Sequence, residues 1–224
     1  GHTLHEIPPN GQGMAALIAL GLLEQFDLSA LPVDGAACQH LQIEAMKLAF
    51  ADVYRYVADP AAMEVTPAQM LDADYLARRA RLSGPRRASA PRAGSPADPH
   101  RQGGTIYLTA ADEQGMMVSF IQSNYMGFGS GCVEPGFGIS LQNRGHGFGL
   151  PASPLNTANR VAPGKRPFHT IIPAFLTRDG QPVMSFGVMG GDMQPQGHMQ
   201  VLSRMIDWGQ NPQAACDAPR GRLD

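Results

Sequence analysis

The run from Thr105 to Ile121 constrains the fold of this chain more than any other stretch. Thr105-Ile-Tyr-Leu-Thr-Ala-Ala111 is apolar and β-prone, Asp112-Glu-Gln-Gly115 is a turn sequence, and Met116 to Ile121 is a second apolar run. The pattern predicts two antiparallel strands joined by a tight turn. Upstream, Gly84 to Gly104 is rich in Pro, Ser, Ala, Arg and Gly, the composition of a flexible, exposed linker. The first strand of the hairpin therefore starts directly behind a segment open to cleavage.

That placement matters chemically. A threonine inside a peptide chain is an ordinary residue, and most Gly-Thr pairs at strand starts are structural. If the chain breaks between Gly104 and Thr105, one residue carries a hydroxyl nucleophile and a free α-amine that can act as its base. An α-amine has a reference pKa of about 7.7–8.0, close to neutrality. Gly104 leaves its carbonyl open to attack and tolerates strained backbone angles. Linker, Gly-Thr, strand, turn and strand together form the layout of a self-cleaving N-terminal-nucleophile hydrolase.

The remaining sequence predicts helices first and sheet later. Met14 to Phe26 reads as a helix, and Asp34 as the cap of a second that runs to about Val57 and is stopped by Asp59-Pro60. Thr66-Pro67 is expected to open a third, Ala68 to about Leu82. Further strands are expected over Thr170–Thr177 and Pro182–Val188, with a turn at Arg178-Asp-Gly180. Helices are expected over Gly197–Trp208 and Pro212–Asp217. Helices flanking an antiparallel sheet give an α+β fold.

Composition narrows the function classes. With 43% hydrophobic and 16% charged residues and a net charge of −2, the chain reads as a globular enzyme without a polyanion-binding surface. The basic run Arg78, Arg79, Arg81, Arg86, Arg87 and Arg92 lacks interleaved aromatics and reads as solvated, so no nucleic-acid partner is expected. Cys38, Cys132 and Cys216 have no metal-type spacing, and no apolar run reaches membrane-spanning length. The methionines at 116, 117, 184 and 189 read as core filler, and Asp192 to His198 as a loop leading into a helix rather than a metal cage.

Several ordered motifs resemble the γ-glutamyltransferase (γ-glutamyltranspeptidase) family. They are Thr105 to Gly131 with Ser123-Asn-Tyr-Met-Gly-Phe-Gly-Ser-Gly131, Gly138-Ile-Ser-Leu-Gln-Asn143, Pro163-Gly-Lys-Arg-Pro167, Ile172-Pro173, Gly187 to Gly191, and Asp207 to Pro212 leading to Ala218-Pro-Arg220. Pro8-Pro-Asn-Gly-Gln-Gly13 is similar to the late part of that family's large subunit. The resemblance implies a four-layer αββα sandwich. It assigns residues 1–104 to the end of a large subunit and 105–224 to the start of a small, catalytic one, both cut from a single precursor. Family members carry long segments before and after the matched region, so the chain is expected to be a fragment.

The resemblance also assigns roles. Thr105 is the nucleophile, Ser123 occupies the place of a threonine hydrogen-bonded near the nucleophile's amine, and Gly190-Gly191 offers backbone N–H groups as an oxyanion hole. The catalytic cycle it implies needs no cofactor and no metal, only a small amide substrate and water or an amine as acceptor. Glutathione-cleaving relatives hold the γ-glutamyl ammonium with an asparagine, a glutamine or glutamate, and an aspartate; the matching positions here are Tyr125, Arg144 and Gly147. The serines that bind the substrate's carboxylate match His169-Thr170. His169 read without the resemblance is a structural hydrogen-bonder between strands. A cation at 144 about 5 Å from an ammonium would cost roughly 3 kcal/mol at an effective dielectric near 20.

Three readings remain open from the residues. One is a self-cleaving enzyme acting on γ-glutamyl or related amides by hydrolysis or acyl transfer. The second is a cephalosporin (glutaryl) acylase or oxamate-type amidohydrolase, whose acyl group is anionic but carries no ammonium. The third is an uncleaved homologue that binds rather than catalyses.

Overall fold

The structure is a computed structural model describing residues 1–84, 105–150 and 158–223. Strand β1, His2–His5, is followed by helix α1, Gly13–Leu23. α1 is made wholly of Ala, Leu, Ile, Met and Gly, so it has no polar face to offer solvent, and eight of its eleven residues are buried. It packs against α2, Ala36–Tyr56, forming a core through Met14, Ile18, Leu22, Met46, Ala49 and Val53.

Helix α2 does not use Asp34 as its cap. Gly35 takes that position without a side-chain bond, and the Asp34 carboxylate instead accepts from Arg204 at 2.5 Å. A tertiary ion pair has displaced the local one. The helix ends at Tyr56, and Asp59-Pro60 starts a short 3₁₀ turn.

The single helix expected after Thr66-Pro67 is two. Thr66 and Gln69 form a reciprocal capping box on α3, Pro67–Met70. Asp72 then accepts from the Tyr75 N–H at 2.8 Å and restarts the chain as α4, Ala73–Ala80. An aspartate in mid-segment bonded to the backbone more favourably as a second cap than as a helix interior residue. The Gly84–Gly104 linker, from residue 85 on, lies outside the described residues.

The hairpin forms as expected. Strands β2, Thr105–Ala111, and β3, Met117–Ser123, pair antiparallel in continuous register from Thr105–Ser123 to Ala111–Met117. Asp112 closes the turn by accepting from the N–H groups of Gln114 and Met116, and Gly115 supplies the positive φ of 85°. Two short strands follow, β4 (Val133–Glu134) and β5 (Ile139–Ser140).

Strand β6 covers Ala174–Arg178, so residues 170–173 are irregular where strand was expected. It turns at Asp179-Gly180 into β7, Gln181–Phe186, which ends two residues before Val188. β1 joins this pair as a third antiparallel strand, giving the order β1-β6-β7. Helix α5, Met193–Ile206, begins four residues earlier than expected, and α6 runs Pro212–Asp217. A second core of Ala174, Leu176, Phe186 and Leu202 joins this sheet to α5. The fold is α+β.

The β2–β3 hairpin adjoins β7. The Thr109 and Ser185 hydroxyls bond to each other, and the Tyr107 ring lies on Gly187, where an added Cβ would approach the ring to 2.4 Å. Not all the methionines fill the core. Met116 stands in the turn and Met189 in the loop after β7, exposed by 72% and 54%; Met117 and Met184 are partly buried.

Candidate active site

Thr105 opens β2 opposite Ser123, the last residue of β3. The Thr105 hydroxyl donates to Ser123 Oγ at 3.2 Å, and the same Oγ accepts from the Tyr125 N–H at 2.9 Å. Strand pairing thus fixes the nucleophile candidate, and Ser123 connects it to the next turn. Gly104 lies outside the described residues.

Tyr125 has a φ of 75°, a conformation in which a bulky side chain is strained by on the order of 1 kcal/mol or more. The turn is held from outside: Asn143 Oδ1 accepts from the Met126 N–H at 3.1 Å, and the Asn143 N–H donates to Asn124 O at 3.2 Å. Asn143 precedes the 3₁₀ turn Arg144–Gly147, so the same contact places Arg144 beside Tyr125. The Arg144 guanidinium carbon lies 5.3 Å from the Tyr125 ring centroid, a cation–π arrangement.

Arg144 is 2% exposed, and its Nη1 donates to Thr170 Oγ1 at 2.7 Å. Burial, only partly offset by Tyr125, lowers its pKa to about 10. His169 is adjacent in sequence to Thr170, and its ring is pushed down to about 4 by burial first and by the Arg144 charge second. It is a neutral imidazole at ordinary pH. Its main chain does structural duty, donating to Asn10 O and accepting from the Gln12 N–H, both at 2.9 Å. The His169 backbone thus bridges two segments, while its ring lies within reach of the Arg144 charge. Gly147 has open space where a side chain would stand, and its carbonyl accepts from Asn159 Nδ2 at 2.9 Å.

Gly190 and Gly191 form the turn into α5 with φ values of 115° and 61°. Both are conformations that a side chain would strain. Their carbonyls accept from the N–H groups of Met193 and Gln194 at 3.1 Å, which starts the helix. Tyr107, two residues into β2, packs on Gly187 and so draws this loop toward the strand that begins at Thr105.

Sequence reasoning missed the residue that ties these pieces together. Gln12 is wholly buried, and its Nε2 donates to Thr170 O at 2.6 Å and to Gly191 O at 2.8 Å. One side-chain amide thus joins the Thr170 segment to the glycine turn. Tyr54 was also missed; its hydroxyl bonds to Asp192, and burial, reinforced by that carboxylate, raises its pKa well above the usual range. Among the described residues, no group of three or more His, Cys, Asp or Glu side chains could hold a metal ion.

Comparison with known proteins follows the same lines. A family profile described as Gamma-glutamyltranspeptidase matches residues 1–223. The glutathione hydrolase-like YwrD proenzyme of Bacillus subtilis (strain 168) is 35% identical over 221 residues, covering 98% of this chain and 40% of that protein. The oxamate amidohydrolase proenzyme of Klebsiella pneumoniae is 37% identical over 221 residues, covering 99% and 40%. The crystal structure of a cephalosporin acylase from Bacillus halodurans aligns with a TM-score of 0.84 at 50% identity, over 98% of this chain and 38% of the acylase. The chain therefore spans about 40% of the length of the curated relatives it matches.

Proposed function

The chain belongs to the gamma-glutamyltranspeptidase family, and on that premise we propose that its parent protein is a self-cleaving amidohydrolase with Thr105 as nucleophile. The observation that carries the proposal is the hydroxyl pair Thr105–Ser123 at the mouth of the β2–β3 ladder. In maturation, Thr105 Oγ attacks the Gly104 carbonyl. The C–N bond breaks as the acyl group moves to oxygen, and water then hydrolyses the ester to free a Gly104 carboxylate and the Thr105 α-amine.

In turnover, that amine takes the hydroxyl proton while Oγ attacks the substrate's amide carbonyl. The oxyanion that forms faces the N–H groups of Gly190 and Gly191, at the end of α5 whose dipole favours negative charge. The amine then gives the proton to the departing nitrogen, leaving an acyl ester on Thr105. Water or a second amine accepts the acyl group and restores the hydroxyl.

The acyl donor is a γ-glutamyl or related amide. A second reading, in which the acyl group lacks an ammonium, draws support from Arg144, which occupies the region where the glutathione-cleaving pattern requires acceptors.

Mass spectrometry of the expressed full-length protein tests the nucleophile. A break between Gly104 and Thr105 in the wild type, absent from Thr105→Ala, is the expected result. Equal cleavage of both would assign the break to an external protease and overturn the proposal.

A further inference from the structure

Three contacts fix where the loop Gly187–Gly191 lies. The Tyr107 ring covers Gly187, where a Cβ would come within 2.6 Å of Cε2 and closer still to Cδ2. Val188 sits on α5 in the same way, its Cγ1 only 2.7 Å from where a Cβ on Gly197 would stand. The Gln12 amide donates to Gly191 O at 2.8 Å. Neither Gly187 nor Gly197 has a positive φ, so what these glycines supply is missing volume, not backbone freedom. The loop is therefore seated on strand β2, on helix α5 and on the residue ahead of α1.

Of the three contacts, Tyr107 is the one that belongs to the strand of the nucleophile. Alternation along β2 puts Thr105 and Tyr107 on one face, two residues and about 6.5–7 Å apart. Thr105 bonds across to Ser123, and the Tyr107 hydroxyl to Ser119 Oγ at 2.9 Å. Ser119 Oγ donates in turn to Phe186 O at 3.4 Å, so its oxygen accepts from the tyrosine. One side chain thus meets Gly187 with its ring and reaches the preceding carbonyl through Ser119. Gly190 and Gly191, with φ values of 115° and 61°, have the conformational freedom of glycine, and their N–H directions depend on what holds the loop.

We infer that Tyr107 is a positioning residue for the proposed reaction: its ring is the spacer that sets the separation between Thr105 Oγ and the N–H groups of Gly190 and Gly191. The inference rests on the roles proposed above for Thr105 and for those two glycines. The oxyanion exists only after Oγ has added to the carbonyl carbon. A displaced loop therefore weakens the tetrahedral state and leaves binding of the planar amide as it was.

The test uses the mature full-length protein with γ-glutamyl and glutaryl para-nitroanilides, keeping whichever is turned over faster. Tyr107→Leu removes the ring from Gly187. It should lower kcat by about tenfold to a hundredfold and leave KM within about twofold. The inhibition constant of 4-boronobutanoic acid, whose boron becomes tetrahedral on Oγ, should rise by the factor that kcat/KM falls. Tyr107→Phe keeps the ring and should hold kcat within a few-fold. A structural role alone would lower the unfolding midpoint of Tyr107→Leu without that parallel. Unchanged kcat/KM in Tyr107→Leu, or a loss carried by KM with unchanged boronate affinity, would overturn the inference and leave the hydrolase reading standing. If the wild type turns over neither anilide, the rate at which a small fluorophosphonate labels Thr105 replaces kcat, with the same factors expected. No label on Thr105 would remove the hydrolase reading and the inference with it. If Tyr107→Leu fails to fold or to self-cleave, Gly187→Ala, which pushes ring and loop apart, should show the same loss in the same readouts.

Discussion

Thr105 and Ser123 face each other across the first rung of the β2–β3 ladder, and their hydroxyl oxygens are 3.2 Å apart. Since Ser123 Oγ also accepts from the Tyr125 N–H, its proton is directed away from that nitrogen and its oxygen orients the threonine. Ser123→Ala should lower kcat by about tenfold or more with a stability loss of about 1 kcal/mol. Ser123→Thr, which keeps the hydroxyl, should stay within a few-fold. Comparable kcat in Ser123→Ala and wild type would show that the contact does not orient the nucleophile.

Gln12 offers a sharper contrast. Gln12→Met removes the donor from two buried carbonyls, Thr170 O and Gly191 O, and should cost about 2–4 kcal/mol in unfolding free energy. Gln12→Glu places an acceptor against the same two oxygens. The buried carboxyl would hold its proton to higher pH than in the unfolded chain, so stability is present at low pH and lost as pH rises through the folded-state pKa. Denaturant midpoints at pH 5 and pH 8 should therefore differ in that sense for Gln12→Glu more than for wild type.

The depressed His169 pKa, about 4 against 6.5 for the free side chain, has the opposite sign. Below pH 6.5 the unfolded chain takes up a proton that the folded one refuses until about pH 4. Stability is therefore full above pH 6.5 and declines through that window. His169→Gln should flatten the decline in a urea-midpoint profile between pH 7 and pH 4. An unchanged slope would place the ring in contact with solvent.

Away from the site, Asp52 accepts from Arg79 Nη2 at 2.6 Å and from the Tyr75 hydroxyl at 2.8 Å, joining α2 to α4. Burial still holds its carboxyl above the usual range despite these partners. Arg79→Met should cost about 2 kcal/mol, less than a fully enclosed pair because the arginine is partly exposed. Asp52→Asn added to Arg79→Met should recover part of that loss in thermal unfolding.

What the sequence disclosed and what it withheld follow a physical divide. The β2–β3 hairpin was legible because its two apolar runs, Asp112 and Gly115 act within a few residues of one another. Asp72 as a second cap was equally local but competed with a plausible continuous helix, and only the backbone bond to Tyr75 decides it. Asp34 misled because its partner, Arg204, is 170 residues away. His198 was given no role, yet its Nδ1 is 2.6 Å from a carboxylate oxygen of Glu6, with both side chains fully closed off. Gln12 was unreadable for a further reason: its partners are main-chain carbonyls, which carry no residue identity. The motif positions around Tyr125, Arg144, His169 and Thr170 came from family resemblance, and their mutual bonds could not.

Strand β1 lies in the first half of the sequence but is hydrogen-bonded along β6, in the second half, from His2–Arg178 to His5–Phe175. The Glu6–His198 and Gln12–Gly191 contacts stitch the same two halves elsewhere. Scission ahead of Thr105 would consequently leave two interlocked polypeptides with no seam along which to part. Such a cut would be almost silent in size, shape and mass of the native particle. Its chemical effect would be to turn one amide into a carboxylate and an amine, and neither piece expressed alone would inherit a finished sheet.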